Sequence, residues 1–253
     1  MSIELGVSEY IAVVRLDKPP VNALDRATRR RLIEIFDEVS ERADVRVAII
    51  TGTGKFFCSG ADLKDRPDAE KAGDFLDHNR WTRETGNAIR ECAKPVIAAV
   101  NGPALGAGFG LMAACDIFLA SEDATFAMPE INVGLAGGVS MLRTMFGRSF
   151  TRRMFFTGMK VPAAELYRRG VLDEVVPAEQ LMPLALEIAQ EIASKAPLAI
   201  AYAKQAANMM DLMPQRDGYR FEQNITMALA RTEDAQEARK AFLEKRKPVY
   251  KGR

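Results

Sequence analysis

The sequence is poor in the residues on which several chemistries depend. It has one histidine, His78, and three cysteines, Cys58, Cys92 and Cys115, in 253 residues. The cysteines are scattered and show no CxxC or Cys/His spacing, so no zinc site is expected. They read as small buried thiols in a reducing compartment. A Ser-His-Asp hydrolase would have to use His78, and neither a GxSxG elbow nor a fitting aspartate accompanies it. There is no excess of basic residues: the net charge is +1. That argues against binding along a nucleic-acid duplex. No apolar run is long enough to span a membrane. The start, "MSIELGVSEYIAVVRLDKPP", is acidic and alternating, so no signal peptide is expected. These absences point to a cytoplasmic, soluble enzyme or binding domain without metal.

What is present is a large apolar fraction, 48%, enough for a substantial core. "SIELGV" and "YIAVVRLD" alternate like a hairpin turning at "SE". Asp25 reads as the N-cap of a helix over "RATRRRLIEIFDEVSERAD", with Leu32, Ile35, Phe36 and Val39 at helical spacing. "VRVAIITG" and "PVIAAV" are short apolar runs, as buried parallel strands are. "AEKAGDFLDHNRWTRETGNAIREC" predicts a helix broken near Gly86. β-helix-β alternation continues to about Pro177. Three helical stretches follow, the last running unbroken over "GYRFEQNITMALARTEDAQEARKAFLEKR". The expected organisation is an α/β core, residues 1–195, and a helical region, residues 196–253, that packs on the core or a neighbouring subunit.

Between two strand-like runs lies "NGPALGAGFGLMAACD", residues 101–116, rich in glycine and alanine and free of acid, base or nucleophile until Asp116. Such a run lets a backbone approach another group closely. Where it opens a helix, unpaired N–H groups can bind anionic oxygen without any side chain. The bland alternative is close strand-helix packing alone. "GAGFG" is not the GxGxxG of a dinucleotide site, and no P-loop lysine follows. A second small-residue turn, Gly60-Ala61-Asp62, lies in "KFFCSGADLKD". Two such turns converging would supply the paired donors of an oxyanion hole.

With "PPVNAL", "ATFAMPEINVGL", "RRGVLDEVVP" and "FLEKRKPVYKG", these segments resemble the crotonase, or enoyl-CoA hydratase/isomerase, superfamily in order and spacing over nearly the whole chain. The resemblance implies a spiral of ββα units with a C-terminal helical trimerisation region, and assembly as a homotrimer or as a hexamer of paired trimers. It implies an acyl-CoA substrate, coenzyme A being part of that substrate and no separate cofactor being needed. The N–H groups of Ala61 and Ala107 would form the oxyanion hole. Ala23, Leu24, Ala61, Asp62, Leu63 and Lys64 would line the coenzyme A groove, with Lys247 and Lys251 near the nucleotide of the same or a neighbouring subunit.

The resemblance places a catalytic carboxylate at Glu130, in "AMPEI". Its apolar flanks predict a carboxyl pKa raised by burial, suited to proton transfer. The position of the second glutamate of two-carboxylate hydratases is Gly110, which can neither hold nor activate a water. Hydration or a double-bond shift of an enoyl-CoA is therefore expected through Glu130 alone. An acyl-CoA hydrolase or decarboxylase, or a non-catalytic RNA-binding relative, stands as the alternative. Dehalogenation is disfavoured because "INVGLAGG" offers Asn132 and no aspartate. His78, Trp81, Gly110 and Leu135 are candidates for the acyl pocket, and Tyr219, Phe221 and Glu222 are weaker ones. By type and position His78 reads first as an exposed helix histidine.

Overall fold

The computed structural model describes residues 2–253. Strands β1 (Ile3–Ser8) and β2 (Ile11–Leu16) are joined by Glu9 and Tyr10, at φ 51° and 66°. The turn is thus one residue later than "SE", and two left-handed residues match the strand twist. Helix α1 (Arg26–Glu41) starts at Asp25, whose carboxylate accepts the Thr28 N–H at 2.7 Å. Next come β3 (Val47–Gly52), α2 (Asp74–Glu91), β4 (Val96–Val100), β5 (Ala104–Leu105) and α3 (Ala107–Ala113). Strands β6 (Ile117–Ser121) and β7 (Thr125–Ala127) lead to a 3-10 turn over Pro129–Val133. Helices α4 (Val139–Met145) and α5 (Arg148–Thr157), strand β8 (Val161–Pro162), helix α6 (Ala163–Arg168) and strand β9 (Glu174–Val176) complete the alternation. Helices α7 (Ala178–Ala193), α8 (Pro197–Met210), α9 (Gln215–Leu229) and α10 (Glu233–Leu243) follow.

Two expectations fail locally. Helix α2 does not break at Gly86, and it starts later than read, after Gly73 at φ 83°. No atom lies within 4 Å of where a Gly86 Cβ would project. Packing of α2 on α1 outweighs the roughly 1 kcal/mol that a helical glycine costs. The last stretch is two helices, not one: Thr232 caps α10, its hydroxyl accepting the Ala235 N–H at 3.1 Å. The threonine followed by Glu233 and Asp234 was a legible start signal.

The main sheet has the order β1-β2-β3-β4-β6-β9, antiparallel at β1 and parallel elsewhere. Alternation along its strands divides the core. Val47, Ile49, Ile97 and Leu119 pack with Leu181, Ala185 and Ala189 of α7. Ala48, Ile50, Ala98 and Val100 belong to the core on the other side, with Leu32, Ile35 and Phe36 of α1. A few residues beyond their C-terminal ends, the parallel strands continue into a smaller layer. There β5, β7 and β8 pair, and single bridges join Cys58 to Ala104 and Leu24 to Ala61. The unit is strand, short strand, helix, repeated, as the resemblance implied. Asp116 proves to be a structural tie. Its carboxylate accepts the Val96 N–H (2.6 Å) and pairs with buried Lys204 of α8 (2.9 Å), whose ammonium also donates to the Ile89 and Lys94 carbonyls. All three cysteines are free and buried, and burial pushes the Cys58 thiol up to about 12.

Candidate functional site

The site forms where the small layer meets α3. The Leu24 N–H donates to the Gly60 carbonyl (2.8 Å), and the Asp62 N–H to the Leu24 carbonyl (3.0 Å). In this parallel register the residues flanking Ala61 face Leu24, so the Ala61 N–H faces the other way. On that side the Leu105 N–H donates to the Cys58 carbonyl (2.9 Å), which docks the segment onto β5. Gly60, at φ 97°, is where the two turns meet. A Cβ there would lie 2.7 Å from the Leu105 carbonyl oxygen and 3.3 Å from the Ala107 nitrogen. Ala107 is the first residue of α3, where N–H groups lack intrahelical acceptors. Among the described residues, neither the Ala61 nor the Ala107 N–H donates to a protein group. Helix α3 has only seven residues, so individual N–H groups, not a summed helix dipole, act here. Ala61, Ala107, Glu130, His78, Gly110 and Leu135 all line one cavity of about 390 Å³.

Glu130 stands in the 3-10 turn after Pro129. Its Oε1 lies so near Gly106 that a Cβ on that glycine would come within 2.4 Å of it. Its Oε2 is buried without a hydrogen-bond partner. Burial raises the carboxyl pKa above its ordinary value near 4.5, outweighing a hydrogen bond from its own backbone that lowers it. The glycines of "LGAGFG" thus serve separate purposes. Gly106 admits the carboxylate. Gly108 admits the Cys58 carbonyl, which a Cβ would meet at 2.2 Å.

Gly110 leaves room for Met141 of α4, whose Sδ and Cε would lie 3.0 and 3.1 Å from a Cβ there. A thioether therefore occupies the space beside the position of the missing second carboxylate. Gly110→Glu should displace this flexible side chain, not the backbone, and cost about 1–3 kcal/mol by overpacking. Removing the obstruction in Gly110→Glu/Met141→Ala should recover part of that loss. Denaturant midpoints of both variants check the coupling; strictly additive losses would contradict it.

Other expected site residues lie elsewhere. Trp81 does not line the cavity: its Nε1 donates to Asp77 (2.9 Å) and Arg30 stacks over its ring, on the flank of α2 towards α1. Leu24 is 2% exposed, and its N–H and carbonyl are both spent on the bridge, so it positions Ala61 and lines no groove. Asp62 spends its N–H on Leu24 and its carboxylate on Lys18 and the Lys64 N–H. Ala23 is half-buried beside it, while Leu63 and Lys64 are exposed. Lys247 and Lys251 lie in the C-terminal tail. The Lys251 N–H is held by Asp234, and the Tyr250 carbonyl accepts from Arg46 at 3.4 Å. Arg46 precedes β3, whose other end leads to the cavity, so one chain does not bring Lys251 to its own site. Tyr219 and Glu222 line a separate depression between α8 and α9, and Phe221 lines neither.

Sequence reading missed Asn22. At φ 55° and 2% exposed, it donates to the Thr53, Phe56 and Phe57 carbonyls and accepts the Lys18 N–H, which fixes the loop before Ala61. Its place in "PPVNAL" was the only signal. It also missed Arg29, which lines the cavity from α1.

Comparison with known proteins fits this geometry. Residues 6–253 match the family model described as enoyl-CoA hydratase/isomerase. A carnitinyl-CoA dehydratase of Salmonella enteritidis is 38% identical, over 100% of this chain and 99% of that relative. A Mycobacterium tuberculosis protein named (7aS)-7a-methyl-1,5-dioxo-2,3,5,6,7,7a-hexahydro-1H-indene-carboxyl-CoA hydrolase is also 38% identical, over 93% of this chain and 95% of its own. The crystal structure of an enoyl-CoA hydratase from Bacillus anthracis superposes with a TM-score of 0.93 at 33% identity, covering 100% of both chains. A match over almost the full length, in sequence and in fold, places this chain in the crotonase superfamily, as an enoyl-CoA hydratase/isomerase family enzyme acting on acyl-CoA.

Proposed function

We propose that the enzyme moves a proton on an enoyl-CoA through the Glu130 carboxylate, while the thioester oxygen is held by the N–H groups of Ala61 and Ala107. One observation carries this reading: two unengaged backbone donors and a half-buried carboxylate, one oxygen of which is buried without a hydrogen-bond partner, line the same cavity. Removing a proton next to a thioester, or adding a nucleophile to its conjugated double bond, places negative charge on the carbonyl oxygen. Fixed donors there stabilise the enolate more than the ground state.

With Met141 beside Gly110, a single carboxylate has to work alone. It takes a proton from one carbon and returns it two carbons away, which shifts the double bond and consumes no water. Single-carboxylate hydration is the second reading, supported by the relative named a dehydratase. Absorbance of the conjugated thioester separates them. A double-bond shift creates the chromophore from 3-enoyl-CoA, whereas hydration bleaches it in 2-enoyl-CoA. Silence in both assays across chain lengths would overturn the proposal, and release of free CoA would redirect it to hydrolysis.

Assembly as a trimer or paired trimers belongs to the same proposal. Exposed apolar side chains on and around the last helices, Leu212, Met227, Phe242 and Leu243 among them, support it. A monomer in sedimentation would refute it.

A further inference from the structure

Arg29 is 3% exposed, on the buried face of α1, and lines the cavity that holds Glu130. Among the described residues it makes no ion pair and no side-chain hydrogen bond. The acids around it are committed elsewhere. Asp25 takes Lys18 (2.5 Å) and the Thr28 N–H (2.7 Å). Asp65 takes the Arg26 N–H (2.5 Å) and lies 3.6 Å from its Nε. Asp74 takes the Arg26 guanidinium at 2.7 and 2.8 Å. The other buried cation, Lys204, has Asp116 and two carbonyls. Arg29 thus has no ion pair of its own, and its guanidinium, on an otherwise buried side chain, is open only to the cavity that it lines, where an anionic group could pair with it.

The wall beside it is polar. His78, Asn79 and Thr82 of α2 line the same cavity. Burial first, and then the charges of Arg29 and Arg26, push the His78 pKa below its ordinary value, so a neutral imidazole faces the space. An apolar acyl tail would leave the guanidinium unpaired. A carboxylate matches its planar fork with two parallel hydrogen bonds. Coenzyme A phosphates are the other anions available, but Arg29 opens into the cavity beside the reacting groups and not onto the exposed surface that carries Leu63 and Lys64.

We infer that the acyl group bears a carboxylate at the end remote from the thioester, and that Arg29 binds it and sets the enzyme's preference for dicarboxylic acyl-CoA substrates. This rests on the proposed placement of the thioester at Ala61 and Ala107.

Calorimetric binding of saturated thioesters tests it on the wild-type protein. Succinyl-, glutaryl- and adipyl-CoA are compared with butyryl-, pentanoyl- and hexanoyl-CoA. At the best-fitting length the carboxylated thioester should bind at least about tenfold tighter than its neutral counterpart, as a hydrogen-bonded charge pair warrants. Arg29→Met should erase that ratio while leaving the affinity for the neutral series unchanged, and Arg29→Lys should keep part of it. Equal wild-type affinities, or a preference that survives Arg29→Met, would overturn the inference and leave the proposed function standing. Equal weakening of both series by Arg29→Met would place Arg29 on the coenzyme A portion and overturn it too. Binding of neither series would instead remove the acyl-CoA site itself. If the methionine variant does not fold, the wild-type comparison still decides.

Discussion

Glu130→Gln should lose between about 10² and 10⁴-fold in kcat, the range attributable to one positioned proton carrier, while the fold is kept. Glutamine preserves the size of the side chain against Gly106 but cannot accept the proton. The wild-type pH profile should carry a matching signature. Burial raises the Glu130 pKa above about 4.5, and the base must be ionised, so kcat/KM should fall on the acid side of an inflection above that value. The variant's residual activity should lack this limb. Stability should move in the opposite sense. A raised carboxyl pKa means the native state favours the protonated form; that contribution is full below the unfolded-state pKa and is lost as pH rises through the folded one. Near pH 7 the variant should therefore melt higher than wild type, and the gap should close in acid. Undiminished turnover, or a variant that melts lower at neutral pH, would remove Glu130 from its role.

Ala107→Pro should be the second severe lesion, costing roughly 10²- to 10³-fold in kcat, the loss measured when a single oxyanion donor is removed. Ala107 is the first residue of α3, the helical position that proline tolerates best, so the helix is kept while the ring Cδ takes the place of the N–H hydrogen in the hole. The helix survives; the N–H does not. Loss of the donor and the bulk of the ring at the oxygen's position act together, so kcat should fall and affinity for a saturated acyl-CoA should weaken with it. A kcat within tenfold of wild type, with a circular dichroism spectrum unchanged, would show that the Ala107 N–H is not a donor to the reacting oxygen.

Much of this enzyme was readable from its residues because the signals were local. Asp25 at a helix start, the all-apolar β3 and β4, and the glycine-alanine run each announced an element through short-range patterning. Errors arose where tertiary packing competes with propensity. Gly86 stayed helical because α2 packs on α1. Trp81, a natural pocket residue by type, turned to Arg30 and Asp77.

Sequence by itself determined the family, through motifs whose residue identity, order and spacing are local, and with that resemblance came the expectation of ββα repetition and of a single carboxylate at Glu130 with glycine at position 110. Only the tertiary structure decided that the N–H groups of Ala61 and Ala107 open into one cavity, that Met141 fills the space at Gly110, and that Arg29 is left without a counter-charge. Peptide N–H groups carry no residue identity, and which acids neutralise a cation is settled by long-range contacts. Such properties exist only once distant segments have been packed together.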